Sequence, residues 1–201
     1  ELYLHPDYRE VLDVLDMQLV QYGSALIQRR QTFAEELGEI VHRIHSQLSG
    51  GQEEMELKYE PNVTVDAFAQ MLFANRERDM RLKTTATGPH RDDISFVVNG
   101  VDIRKFGSQG QQRTAALSLK LSEIELVKRL IGDTPVLLLD DVLSELDSGR
   151  QNYLLNSIEN IQTLITCTGL DEFVNHRFSI NRIYKVTDGS VTVENKQEAD
   201  R

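Results

Sequence analysis

Hydrophobic positions recur every seven residues through the first part of the chain. Leu12, Leu19, Leu26, Phe33 and Ile40 keep the interval, while Leu15, Tyr22 and Leu37 fill the intermediate rung. Such a repeat puts these side chains on one stripe of a helix, as in a coiled coil. It predicts one long helix over 7–48, about 60 Å from end to end. Asp7 followed by Glu10 reads as a capping-box-like start, its carboxylate able to accept an orphan backbone N–H. Ser49-Gly50-Gly51 ends the helix. The stripe is compatible with a core helix and with a protruding arm.

The pattern then shortens. Residues 50–64 read as a linker with a short strand around 57–59, and Val65, Phe68, Met71 and Leu72 mark an amphipathic helix over 65–80. Arg76, Arg78, Arg81 and Lys83 cluster at its end, interrupted by Glu77 and Asp79. The cluster fits a solvated helix end or a contact to nucleic-acid phosphates. Ile94, Phe96 and Val98 alternate into Asn99-Gly100, a strong hairpin turn, and Val101 and Ile103 continue the alternation. A second long helix is expected over 108–131, with Leu117, Leu121, Ile124, Val127 and Ile131 on one stripe. Val136 to Leu139 is an unbroken apolar run, the form of a strand buried on both faces. A helix over 147–159, a buried strand over 163–168 and a closing hairpin around Asp188-Gly189 follow. The tail beyond Glu194 is polar and is expected to fray.

Composition narrows the picture. The 201 residues are 40% hydrophobic and 27% charged, as in ordinary globular proteins. A formal net charge of −10 argues against a general nucleic-acid coat, so any DNA contact must come from a local basic patch or another segment. Cys167 is the single cysteine, which excludes an intrachain disulfide and fits a reducing compartment. No apolar run is long enough to span a bilayer. The chain opens on Glu1 just before a helix, which reads as a piece of a longer protein.

Two constellations carry chemistry. Val136-Leu137-Leu138-Leu139-Asp140-Asp141 has the form of a Walker B strand. A buried parallel strand delivers its last residues to the carboxyl edge of the sheet, where ligands bind. There Asp140 can hold Mg²⁺ and Asp141 can orient or deprotonate an attacking water. A buried strand ending in a polar turn would look the same. The second constellation is Phe106-Gly107-Ser108-Gln109-Gly110-Gln111-Gln112-Arg113, which opens the helix ahead of that strand. It resembles the ABC signature L-S-G-G-Q, with Gln109 in place of the first glycine and Gly107 in place of the leucine. A helix N-terminus with free N–H groups, the Ser108 hydroxyl and the small Gly110 suits a phosphate. A plain serine N-cap is the bland counterpart. Ser144-Glu145-Leu146-Asp147 resembles the D-loop S-x-L-D, and either Ser144 or Asp147 could also cap the next helix.

Gly88-Pro89-His90-Arg91-Asp92-Asp93 matches no metal or triad template and reads as a hydrogen-bonded turn before a strand. Together with F-G-S-Q-G-Q-Q-R and V-L-L-L-D-D-V-L-S-E-L-D, however, it closely resembles the RecF family, strongly over about 80–190. SMC and RecN proteins share the ATPase head but not this string. The resemblance implies an α/β fold: a partial ABC-type P-loop ATPase head with an inserted helical arm. The arm would cover 1–80, the head portion 81–194 and a polar tail 195–201. It further implies an ATP-dependent homodimer in which Ser108 and Gly110 reach the γ-phosphate of the partner's ATP, with Gln109, Gln111 and Asp147 as further nucleotide-binding residues. Asp140 would serve Mg²⁺, Asp141 water activation and Asp147 the D-loop. RecF proteins act at single-strand/double-strand DNA junctions with RecO and RecR to load RecA, in replication, repair and the SOS response, in the cytoplasm and without a membrane.

No G-x-x-x-x-G-K-[S/T] phosphate loop occurs; Gly50-Gly51 lacks the following lysine. This chain alone is therefore expected to bind ATP weakly or not at all and not to hydrolyse it. Where ABC transporters place a γ-phosphate-sensing histidine after the second buried strand, this chain has Cys167 or Thr168. A SMC-like or RecN-like head, a purely interacting helical module and a metal-dependent hydrolase using Asp140, Asp141 and Asp147 are the competing readings. The last lacks completing His or Glu ligands.

Overall fold

The structure, a computed structural model, describes residues 7–168 and 180–194. Two compact units divide the chain, one over Glu1–Pro135 and one over Val136–Arg201.

The first unit is organised on helix α1, Tyr8–Leu48, whose 41 residues form without a break. Asp7 is its N-cap, but the carboxylate makes no cap hydrogen bond. The capping-box expectation fails there, and Glu10 is left as the acid at the positive end of the helix dipole. Strand β1 (Met55–Glu60) pairs antiparallel with β2 (Asp93–Val98), which pairs in turn with β3 (Val101–Asp102). Helix α2 (Val65–Leu82) and helix α4 (Gln109–Ile131) both pack on α1, as does β1. Asn99 and Gly100 take φ of 49° and 81°, the left-handed pair that a two-residue hairpin with right-twisted strands requires. Ile103 does not continue the strand. The Asp102 side chain accepts from the Arg104 N–H and caps a short helix α3, Ile103–Phe106.

The buried face of α1 is not the heptad stripe. Leu37 and Ile40 are buried, but Leu15, Leu19, Tyr22, Leu26 and Phe33 stay exposed. The contact stripe runs instead through Gly23, Ile27, Ala34, Leu37, Val41 and Ile44. Small residues explain the shift, because Gly23 and Ala34 let neighbouring elements approach where a larger side chain would hold them off. Ile27, Val63, Phe68 and Leu72 form one core cluster where α2 meets α1. The helix is thus buried along one face and exposed along much of the heptad stripe. On α4 the buried set is Thr114, Ala115, Leu117, Ser118, Leu121, Ser122 and Leu126, while Ile131 is exposed.

In the second unit β4 (Leu137–Asp140) and β5 (Thr163–Thr166) lie parallel, Asp140 beside Thr166, with α5 (Ser148–Ser157) between them in sequence. Leu139, Leu143, Leu154, Leu155, Ile158 and Ile161 are buried. Leu138 is 71% exposed and Leu164 is 55% exposed, so neither strand is buried on both faces as expected. Among the described residues of this unit, core material covers one side of the sheet only. Strands β6 (Ile183–Thr187) and β7 (Ser190–Glu194) form the anticipated hairpin around Asp188-Gly189. The tail at 195–201 lies outside the described residues.

Gly23 offers a direct test of the α1–α2 contact. A Cβ there would overlap the ring of Phe68, which is 1% exposed and cannot yield. Alanine gains about 0.5–1 kcal/mol of helix propensity, whereas overpacking costs about 1–3 kcal/mol. The clash wins: Gly23→Ala should lower the urea midpoint, and adding Phe68→Leu should recover part of the loss.

Candidate nucleotide site

Helix α4 begins where the sequence places the signature. Ser108 is its N-cap, with the hydroxyl oxygen accepting from the Gln111 N–H at 3.2 Å. The Gln111 side-chain carbonyl accepts from the Ser108 N–H at 3.0 Å, completing a reciprocal capping box. The Gln112 N–H reaches the Ser108 carbonyl. The N–H groups of Gln109 and Gly110 have no acceptor among the described residues, as the first turn of a helix requires. Gln112 donates to the Ile103 carbonyl at 3.0 Å and ties the turn to α3.

The two glycines of this turn differ in kind. A Cβ on Gly107 would lie 2.6 Å from the Ile103 carbonyl oxygen, so α3 itself excludes the leucine of the usual signature. A Cβ on Gly110 would meet nothing closer than the Ser108 hydroxyl at 3.9 Å. Gly110 has ordinary helical backbone in the first turn of α4. Nothing in the packing of the described residues requires glycine there.

In the second unit the acids sit at the end of β4. The Thr166 hydroxyl donates to an Asp140 carboxylate oxygen. The Asp141 N–H points back to Thr166, reaching its carbonyl at 3.2 Å and its hydroxyl at 3.1 Å. Asp141 takes φ of 50°, left-handed backbone that Asp and Asn tolerate better than other non-glycine residues. That bend breaks the alternation of the strand, so Asp141 need not point opposite to Asp140. Ser144 donates to the Asp141 carbonyl at 2.9 Å and closes the loop. Asp147, rather than Ser144, caps α5, accepting from the Arg150 N–H at 3.1 Å. That backbone hydrogen bond, with the Arg150 guanidinium, holds the Asp147 carboxyl below its ordinary range.

Thr166 and Glu53 are the residues that reading the sequence missed. Thr166 could have been found as the polar end of the strand neighbouring Asp140; attention to the switch histidine pointed instead to Cys167 and Thr168. Glu53 accepts from the Gln111 side-chain amide at 3.0 Å and sits in a linker that carries no local signal. Among the described residues no group of three or more His, Cys, Asp or Glu could hold a metal by itself. Mg²⁺ keeps several waters and needs only one or two carboxylates besides the phosphates, so Asp140 backed by Thr166 fits it.

The Gly88–Asp93 string is a lock. The Asp92 side chain is 3% exposed; its Oδ2 accepts from Arg30 at 3.0 Å and from the Tyr59 hydroxyl, and its Oδ1 accepts from the Asn62 N–H at 2.9 Å. Arg30 also donates to the Pro89 carbonyl. His90 donates through Nε2 to the Thr85 carbonyl at 2.8 Å, a structural role. Arg76, from the basic cluster, is engaged by Asp13 and Asp16.

A capped signature helix, an acid pair closing a parallel strand and an S-x-L-D loop define a partial ABC-type ATPase head of α/β class. A solved SMC ATPase structure shares this fold with a TM-score of 0.52 at 14% identity. No protein-family model matches the chain. Among curated proteins it is 59% identical over 186 residues to the DNA replication and repair protein RecF of Lachnospira eligens, covering 92% of this chain and 51% of that protein. It is 58% identical to the RecF protein of Agathobacter rectalis (96% and 53% covered). A solved structure of "the recombination mediator protein RecF-ATP in RecFOR pathway" superposes with a TM-score of 0.80 at 34% identity, covering 92% of this chain and 51% of that one. The chain belongs to the RecF family and matches its C-terminal portion. It spans about half the length of the curated relatives it matches. The SMC reading survives as shared fold alone. No helix among the described residues is long and apolar enough to cross a membrane.

The lock has a pH signature. Burial, then the hydrogen bond to Asp92, pushes the Tyr59 phenol up from 10.0 to about 12. A raised folded value means stability that is full below pH 10 and is lost as pH rises towards 12. Urea midpoints of the native chain should therefore fall more steeply across that window than those of Tyr59→Phe. Parallel alkaline profiles would show that Tyr59 is not held neutral by the lock.

Proposed function

We propose that this chain supplies the signature helix and the Walker B acids of a RecF-type DNA replication and repair protein that binds ATP and DNA. Gly110 carries the reading. A first-turn glycine that the packing of the described residues does not need is accounted for by close approach of a ligand to the Gln109 and Gly110 N–H groups. The names of the relatives, RecF proteins of replication and repair and a RecF with ATP, support the same conclusion.

In this reading two copies close around two ATP molecules. Ser108 offers its hydroxyl proton, and Gln109, Gly110 and Gln111 complete a phosphate cradle at the positive end of the α4 dipole. The ATP they meet is held by the phosphate loop of the partner copy, a motif that these 201 residues lack. Asp140 would hold Mg²⁺, which neutralises charge on the transferring phosphoryl group when bound. Asp141 aligns the attacking water and accepts its proton. Asp147 lies in the loop that would face its counterpart across the dimer. Action with RecO and RecR in loading RecA at single-strand/double-strand junctions, in the cytoplasm, belongs to the same proposal. So does the division into an arm over 1–80, a head portion over 81–194 and a tail over 195–201, although the compact units part at residue 135. The exposed α1 stripe of Leu15, Leu19, Tyr22 and Leu26 favours a partner-binding arm as a second, compatible role.

In the full-length protein, Ser108→Arg should spare ATP binding by the monomer and abolish ATP-dependent dimerisation. Sedimentation with a slowly hydrolysed analogue checks this, and normal dimerisation would sink the signature assignment.

Asp141→Asn tests the division of labour between the acids. Asparagine keeps the left-handed backbone, so the loop should survive while the charge is lost. Hydrolysis should slow by about 10²-fold or more with ATP and Mg²⁺ binding intact. Asp140→Asn should instead weaken Mg²⁺-dependent binding. Normal turnover by Asp141→Asn, or the reverse pattern of metal binding, would refute these roles.

A further inference from the structure

Glu53 stands between α1 and β1, its N–H held by the Ser49 hydroxyl at 3.2 Å. Its two carboxylate oxygens serve different elements. Oε1 accepts from Nε2 of Gln111 at 3.0 Å, and Oε2 lies 3.2 Å from Nε2 of His45. His45 is 0% exposed, and its Nδ1 lies 3.0 Å from the Ser118 hydroxyl on α4.

The donor and acceptor count orders this chain. An ionised carboxylate only accepts, so the amide NH₂ of Gln111 must face Glu53. That choice turns the Gln111 carbonyl towards the Ser108 N–H, where the capping box needs it. The single proton of the Ser118 hydroxyl goes to the Thr114 carbonyl at 2.7 Å. His45 Nε2 donates to the Glu53 carboxylate at 3.2 Å, and its Nδ1 meets the Ser118 hydroxyl at 3.0 Å. A capping glutamine on its own could swing away into water. Here it is pinned by a carboxylate 58 residues away in sequence, itself pinned by a buried side chain of α1.

We infer that Glu53, held by His45, is a positioning residue that keeps the Ser108–Gln111 turn in its phosphate-ready shape. This rests on the signature reading of Ser108 and Gly110. The chain of contacts makes the seating of α1 on α4 a condition of a competent signature.

The test uses the full-length protein and measures dimerisation with a slowly hydrolysed ATP analogue, alongside ATP affinity of the monomer. Glu53→Gln can keep a carbonyl towards His45 but then sets its NH₂ against that of Gln111. It should weaken dimerisation by about tenfold, as should Gln111→Ala, with monomer ATP affinity unchanged. The double variant should be no worse than Gln111→Ala alone, because the two act through one contact, whereas independent effects would multiply to about 100-fold. Should Glu53→Gln prove too unstable to assay, Gln111→Glu sets two carboxylates face to face and should weaken dimerisation. Adding Glu53→Gln to it restores a donor against an acceptor and should recover the loss. Multiplying effects, no recovery in the swapped pair, or lowered monomer ATP affinity would overturn the inference. If Glu53→Gln dimerises normally while Ser108→Arg does not, the positioning role alone fails. If Ser108→Arg also dimerises normally, the signature reading fails with it.

Discussion

Asp92 is a nearly buried carboxylate, and its two oxygens decide how the first unit is put together. Arg30 comes from the middle of α1, Tyr59 from the end of β1 and the Asn62 N–H from the turn before α2. A buried carboxylate without such donors would be severely destabilising, so these elements must converge on it. Their convergence seats the β1–β2 hairpin on α1. Glu53 enters β1 just ahead of that seat, which is why its carboxylate can reach both His45 and Gln111.

Helix α4 buries small polar residues as well as leucines, and Ser118 meets His45 of α1 directly. Thr114, Ser118 and Ser122 are buried and return their hydroxyl protons to carbonyls one turn back, at 2.8, 2.7 and 2.6 Å. Helical carbonyls absorb these protons without unsatisfied groups, and the small side chains leave room for the His45 ring. The His45–Ser118 contact, with His45 in turn holding Glu53 and Glu53 holding Gln111, links α1 to the first turn of α4.

Local chemistry was legible in the sequence wherever few neighbours decide the outcome. Asn99-Gly100 and Asp188-Gly189 announced hairpins because only their backbone preferences matter there. Ser108 announced a helix start as an N-cap residue, although the capping box expected at Asp7 and Glu10 did not form. What escaped was set by partners distant in sequence. The heptad stripe of α1 marked where large apolar residues lie, whereas the packed face is marked by what is missing at Gly23 and Ala34. The burial expected of β4 and β5 followed from their apolar composition, but burial depends on what covers a strand. Gly107 read as a departure from the signature, and only the Ile103 carbonyl explains it. Glu53 and Thr166 gave no sign because neither position forms a local pattern.

The bare side of the β4–β5 pair has a consequence for how the chain behaves in a test tube. Among the described residues each strand has a single neighbour, so each presents an edge without a described partner, and Leu138 and Leu164 are exposed beside it. Open edges next to apolar side chains are templates for sheet-to-sheet growth. Electrostatic repulsion between molecules of net charge −10 opposes that growth at low ionic strength. Salt screens the repulsion within about 10 Å at 0.1 M and leaves the edges untouched. The β6–β7 hairpin adds a second such pair among the described residues, with Val186 and Val191 exposed, so colloidal stability is a contest between the acidic surface and these strand edges, and added salt favours the strands.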